Sequence, residues 1–119
     1  MKSEAEIVVR FCAEGWHRWP EAPASRAYLA TYHRHLFHVE VRLPVLHDER
    51  EVEFHDLLDA VRSDFGSGDF GAASCEAMAR TLAQKTARRY GRACTVAVFE
   101  DGEVGASVSE SLSQAKDER

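Results

Sequence analysis

TYHRHLFHVEV, residues 31–41, decides the fold. From about Tyr32 to Val45 apolar and polar residues alternate. His33, His35, Phe37, Val39, Val41 and Leu43 fall on one side, and Arg34, His38, Glu40 and Arg42 on the other, with Leu36 the exception. A period of two marks a half-buried strand, and this pattern belongs to an antiparallel sheet with one covered face. The strand also poses a chemical question. His33 and His35 open it on the face that should enter the core, and residues i and i+2 project from the same side of a strand.

Working outward, EIVVRFCAEGWH (6–17) is a second alternating run, with Ile7, Val9, Phe11, Ala13, Gly15 and His17 on one face. RWPEAPASRA (18–27) reads as a loop. After the polar turn LHDERE (46–51) the period changes. Phe54, Leu57, Leu58 and Val61 stand at helical spacing, with Gly66 to end the helix. GSGDFGAA (66–73) reads as a flexible connection. Ser74 is a plausible N-cap for a longer helix, with Glu76 in its first turn, a buried stripe of Met78, Ala79, Leu82 and Ala83, and Gly91 as C-terminal cap. CTVAVFE (94–100) and EVGASV (103–108) are strands joined at Asp101-Gly102, a hairpin signal. The predicted fold class is α+β: an antiparallel four-stranded sheet with two helices on one face, in the order strand-strand-helix-helix-strand-strand. Residues 1–108 form one domain and 109–119 a polar tail. A sheet of this size has two open edges and one bare face, which homo-oligomerisation would close.

The chain has 119 residues and a formal net charge of −5, so one domain with a real core is expected. The acidic balance gives no general case for nucleic acid or a membrane surface. No h-region opens the chain and no apolar run is long enough to span a bilayer, so a cytoplasmic location is expected. Cys12, Cys75 and Cys94 are odd in number and widely spaced. They form neither a disulfide framework nor a C-x-x-C metal pattern, and read as reduced thiols that are mostly small core residues.

Zinc takes neutral imidazole nitrogens, and a catalytic zinc site typically has three protein ligands. His17 is the natural third. It ends the first strand, which in an antiparallel pair lies beside the start of the second, and Gly15 would let the backbone kink there. The competing reading has the three histidines hydrogen-bonded, or facing solvent near a loop. His38 points to the opposite face and is excluded. His47 and His55 read as surface residues. Trp16 and Trp19 flank His17 and either wall a pocket over a flat ring or pack as core or interface.

These segments together resemble the 6-pyruvoyl-tetrahydropterin synthase and 6-carboxytetrahydropterin synthase family, of the T-fold superfamily, over about residues 5–108. FCAEGWHRWP (11–20) resembles the family's first strand, which ends in a zinc histidine, here His17. HRHLFHVEV (33–41) resembles its H-G-H-x-(Tyr/Phe)-x-V strand, with Arg34 in place of glycine. REVEFHDLL (50–58) resembles V-x-D-F-x-x-L, with Glu53 for the aspartate, and ASCEAMA (73–79) the P-T-x-E segment, with Glu76 in register. VAVFEDGEV (96–104) resembles the strand ending in V-x-E-T. The resemblance implies His17, His33 and His35 as zinc ligands, and Glu100 and Glu76 as substrate-binding residues. Glu100 would anchor a pterin- or purine-like ring, since a carboxylate accepts two adjacent N–H donors as a bidentate pair. Read without the resemblance, Glu100 is a solvated hairpin glutamate. The resemblance also implies subunits closing into a barrel and stacking as a hexamer.

The chain departs from the family where protons are moved. The family's general-base cysteine lies four residues before the first histidine of H-x-H, and here that position is Leu29. Its Leu-Asp-His is missing as well: FGSGDFGAA (65–73) has Asp69 but no histidine. Cys12 and Glu14 face away from His17. Tyr28, Tyr32 and Cys75 are near in sequence, with nothing to rank them as substitutes. Three functions follow. The first is a zinc-dependent lyase on a dihydroneopterin-triphosphate-like or related pterin or purine, its product feeding a deazapurine pathway. The second is a zinc-assisted hydrolysis on such a ring, which needs only the metal and an anchor. The third is a non-catalytic metal- and ligand-binding protein.

Overall fold

Two long strands carry the architecture, and a computed structural model describing residues 4–111 shows how. β1 (Ala5–His17) and β2 (His33–Val45) pair antiparallel along their whole length, from Ala5 opposite Val45 to His17 opposite His33. Between them the chain does not run as plain loop, since Ala24–Leu29 winds into a short 3-10 helix. α1 (Phe54–Phe65) follows. Its N-cap is Glu53, whose carboxylate accepts from the backbone N–H of His55 and Asp56, so Glu53 serves the helix end. α2 (Cys75–Tyr90) starts at Ser74, whose hydroxyl accepts from Ala77 N, and stops at Gly91 in the left-handed conformation, φ 64°.

One expectation fails here. The connection 66–73 contributes a two-residue strand, β3 (Gly68–Asp69), which pairs parallel with β1 through Gly15–Gly68 and Trp16–Asp69. With β4 (Cys94–Glu100) and β5 (Val104–Glu110), the sheet is therefore five-stranded and mixed, in the order β3-β1-β2-β4-β5, rather than four-stranded and antiparallel. A two-residue strand has no periodicity to read, and its glycines favour a loop. β3 also explains Gly15, which does not kink β1. A Cβ there would run into the Phe70 ring and the Gly68 carbonyl oxygen, so the missing side chain is room for the neighbouring segment.

The covered face buries Val9, Phe11, Phe37, Val39, Val41, Leu43, Val96 and Val98 against Leu57 and Val61 of α1 and Met78, Ala79, Leu82, Ala83 and Ala87 of α2. The opposite face is polar and carries the ion pairs Arg10–Glu40, Arg34–Glu14 and Arg42–Glu6. Such exposed pairs add little stability. Cys75 and Cys94 are buried, but Cys12 is exposed on that polar face, against His38. Of the residues expected to form a polar tail, Ser109 and Glu110 belong to β5, and 112–119 lie outside the described residues. No helix among the described residues is long and apolar enough to cross a membrane.

Candidate metal centre

The register of β1 and β2 assembles the cluster. His17 faces His33 directly, and His35 sits two residues along β2, opposite Gly15. All three project to the helix-covered face at its open end. Their ring centroids lie 4.6–5.2 Å apart, edge to face. One ring nitrogen from each falls within 4.8 Å of the others, a group able to hold a metal ion.

Hydrogen bonds on the far side of each ring decide which nitrogen faces inward. His17 Nδ1 lies 2.9 Å from the Ala73 carbonyl, His33 Nδ1 2.9 Å from the Thr31 carbonyl, and His35 Nδ1 2.7 Å from Asp101 Oδ2. Each partner can only accept, so Nδ1 is the donor, and in the neutral ring that tautomer keeps its lone pair on Nε2. Metal-binding histidines are typically oriented this way, by a carbonyl or carboxylate behind the ring. His17 Nε2 and His35 Nε2 are buried and make no hydrogen bond, although Glu100 Oε2 and Oε1 lie 3.0 and 3.6 Å away. Buried polar atoms are rarely left so. Three imidazoles grouped in this way, two of them with a buried nitrogen lacking a partner, suit a metal ion.

Two supporting residues were not singled out in the sequence as parts of the site. Asp101 reads as a turn residue, and it does occupy the hairpin at φ 54°. Its Oδ1 accepts from Leu36 N at 2.9 Å while Oδ2 holds His35. These bonds, the Leu36 N–H first and then the His35 ring, hold its carboxyl below the usual range. Ala73 reaches His17 because β3 pins the segment after it: Phe70 N donates to Trp16 O, and Arg18 N to Gly71 O. The oxygen that orients His17 thus depends on the strand that periodicity missed.

The cluster opens onto a cavity of about 500 Å³ lined by His17, Arg18, Trp19, Leu29, His33 and residues 72–76, with Glu100, Val104 and Gly105. Glu100 and Glu76 both border it. Of the two tryptophans only Trp19 does. Trp16 alternates to the other face of β1, and neither is core. Cys75 borders it too, but burial and the adjacent Glu100 push its thiol up to about 12, so it stays protonated at neutral pH. Tyr28 is largely exposed, and Tyr32 donates to Asp69. Leu29 lines the same cavity wall.

No protein-family model matches the chain, and no curated protein does. Solved structures do. The chain's fold is that of 6-pyruvoyltetrahydropterin synthase. The Plasmodium vivax enzyme superposes with a TM-score of 0.60 at 14% identity, covering 92% of this chain and 99% of that one. Two catalytic-residue variants of the same enzyme, with a glutamate changed to cysteine or to alanine, give 0.64 at 13% and 0.65 at 14% with the same coverage. At such identity the likeness establishes the shared fold.

Proposed function

We propose that the chain is a zinc-dependent lyase of the 6-pyruvoyl- and 6-carboxytetrahydropterin synthase kind, acting on a dihydroneopterin-triphosphate-like or related pterin or purine substrate. The observation that carries this reading is the cluster of His17, His33 and His35, with one ring nitrogen from each within 4.8 Å of the others, at the edge of a ligand-sized cavity. Zinc held by His17, His33 and His35 would polarise an oxygen on the substrate and acidify the adjacent C–H. Glu100 would accept the ring's paired N–H groups, with Glu76 bordering the same cavity. Trp19, half-exposed at its edge, offers an aromatic face to a flat ring. A homo-oligomer, hexameric as in the resembled family, and a cytoplasmic location belong to the same proposal.

One observation favours a second reading. Leu29 borders the cavity and cannot transfer a proton. A zinc-assisted hydrolysis on a pterin- or purine-like ring, or ligand binding without turnover, needs no base at that position. The test is zinc content of chain purified without added metal or chelator, against His33→Ala, with 7,8-dihydroneopterin triphosphate turnover measured on both. Near one zinc per chain, lost in the variant, with turnover, supports the lyase. Zinc without turnover supports the second reading. A chain with no zinc sinks both metal-dependent readings.

A further inference from the structure

We infer that Glu100 is the fourth protein ligand of the metal when no ring is bound, so that metal and ring compete for one carboxylate. This rests on the three-histidine reading and goes beyond it. Glu100 ends β4 opposite Phe37, one diagonal step from His35 on the same face, where a glutamate side chain spans the gap. Its carboxylate meets two of the three inward nitrogens, with Oε2 3.0 Å from His17 Nε2 and Oε1 3.6 Å from His35 Nε2.

Behind each ring Nδ1 meets an acceptor, while Nε2 of both rings turns to the carboxylate without a hydrogen bond of its own. Nitrogens and carboxylate oxygens this close need a cation between them, and one metal ion shared by both rings and the carboxylate fills that place for all three, where a proton would serve one ring only. Bonds of about 2.0–2.2 Å to a tetrahedral ion place neighbouring donor atoms about 3.3–3.5 Å apart, and the two observed separations bracket that spacing. Among the described residues its other partner is the neutral Cys75 thiol, with Sγ 3.8 Å from Oε2, and no lysine or arginine pairs with it.

Four protein donors would close the centre, whereas zinc sites that do chemistry keep a position open. A ring with paired N–H donors would draw Glu100 away and leave that position free for the ligand. The residue that anchors the ring would then also gate the metal, limiting metal reactivity to the ligand-bound chain.

The test uses the full chain loaded with Zn²⁺ or Co²⁺, comparing wild type with Glu100→Gln and Glu100→Asp. The aspartate keeps the charge but falls short by one methylene. Zn²⁺ affinity, by competition with a chromophoric chelator, is expected to drop about 10–100-fold or more in both, since loss even of an outer-shell partner costs that much. The Co²⁺ visible spectrum is expected to ignore thiocyanate in wild type and to shift with it in both variants. Circular dichroism of the metal-free variants checks that they fold, and should one fail, the other carries the comparison. Affinities within threefold of wild type, or a wild-type Co²⁺ spectrum that shifts with thiocyanate as the variants' do, overturn the role of Glu100 and leave the histidines standing. Wild-type chain that takes up no metal dependent on His33 overturns the centre itself, and the inference with it.

Discussion

Replacing Asp101 by asparagine exchanges one carboxylate oxygen at the surface for an NH2 group and should weaken a ligand behind it. Asp101 Oδ1 accepts the Leu36 backbone N–H at 2.9 Å, and Oδ2 accepts His35 Nδ1–H at 2.7 Å. Asparagine has one acceptor oxygen and one donor amide. The peptide N–H of Leu36 cannot change sign, so the oxygen must stay there and the NH2 must face His35. Two donors then abut, and the imidazole relieves the clash by moving its proton to Nε2, into the metal centre. Binding zinc forces the proton back and leaves a donor unsatisfied, at about 1–3 kcal/mol. At 1.36 kcal/mol per tenfold, that is about 5–150-fold in affinity. Asp101 is half-exposed, 51% at the side chain, and water softens the mismatch, so we expect roughly 10–30-fold, within the range typical of outer-shell partners. Asparagine tolerates the left-handed backbone at this position, so the fold should be retained. Chelator competition measures the affinity, and long-range ¹H–¹⁵N NMR reads the His35 tautomer. Zinc affinity within threefold of wild type, or a variant in which His35 keeps its proton on Nδ1, would refute the reasoning.

Other perturbations test other parts of the structure. Gly15→Ala drives a methyl group into Phe70 and the Gly68 carbonyl; overpacking of this kind should cost about 1–3 kcal/mol. Calorimetry should show a Tm several degrees lower, with zinc affinity falling alongside because β3 places Ala73 beneath His17. Leu29→Cys puts a thiol on the cavity wall. If the lyase reading holds, turnover of 7,8-dihydroneopterin triphosphate should rise roughly 10-fold or more, and unchanged turnover with zinc retained would favour hydrolysis or binding. Glu51 is held by Arg92 through two 2.7 Å bonds, which with the Leu46 N–H lower its carboxyl from near 4.5 to about 2. A depressed folded value means stabilisation present above pH 4.5 and lost as pH falls towards 2. The Tm gap between wild type and Glu51→Gln should therefore shrink across that window, and a gap that stays constant there would show that Glu51 is not the titrating group.

Much of this molecule is written in local pattern. The alternation in 6–17 and 33–45 predicts β1 and β2 and the face each residue takes, because a one-residue slip would turn the apolar set to solvent, and the antiparallel pairing then sets His17 beside His33. Ser74, Gly91 and Asp101-Gly102 mark their helix ends and hairpin because each answers a backbone requirement a few residues long. The resemblance points to Glu100, and the chain folds it into the cavity wall.

What the sequence could not reveal lies in contacts between segments far apart in the chain. β3 is two residues long, too short for any period, and exists because Gly15 leaves space for Phe70. Asp101 looks like an ordinary turn residue until β2 and β4 lie side by side and its carboxylate meets His35. Ala73 is silent in sequence because it acts through its carbonyl, which every residue has. The sequence by itself determined the strands, the helices and three histidines on one face, since those follow from side-chain order along a chain. Only the tertiary structure decided which nitrogen of each histidine faces inward, because that depends on acceptors brought from distant segments by packing.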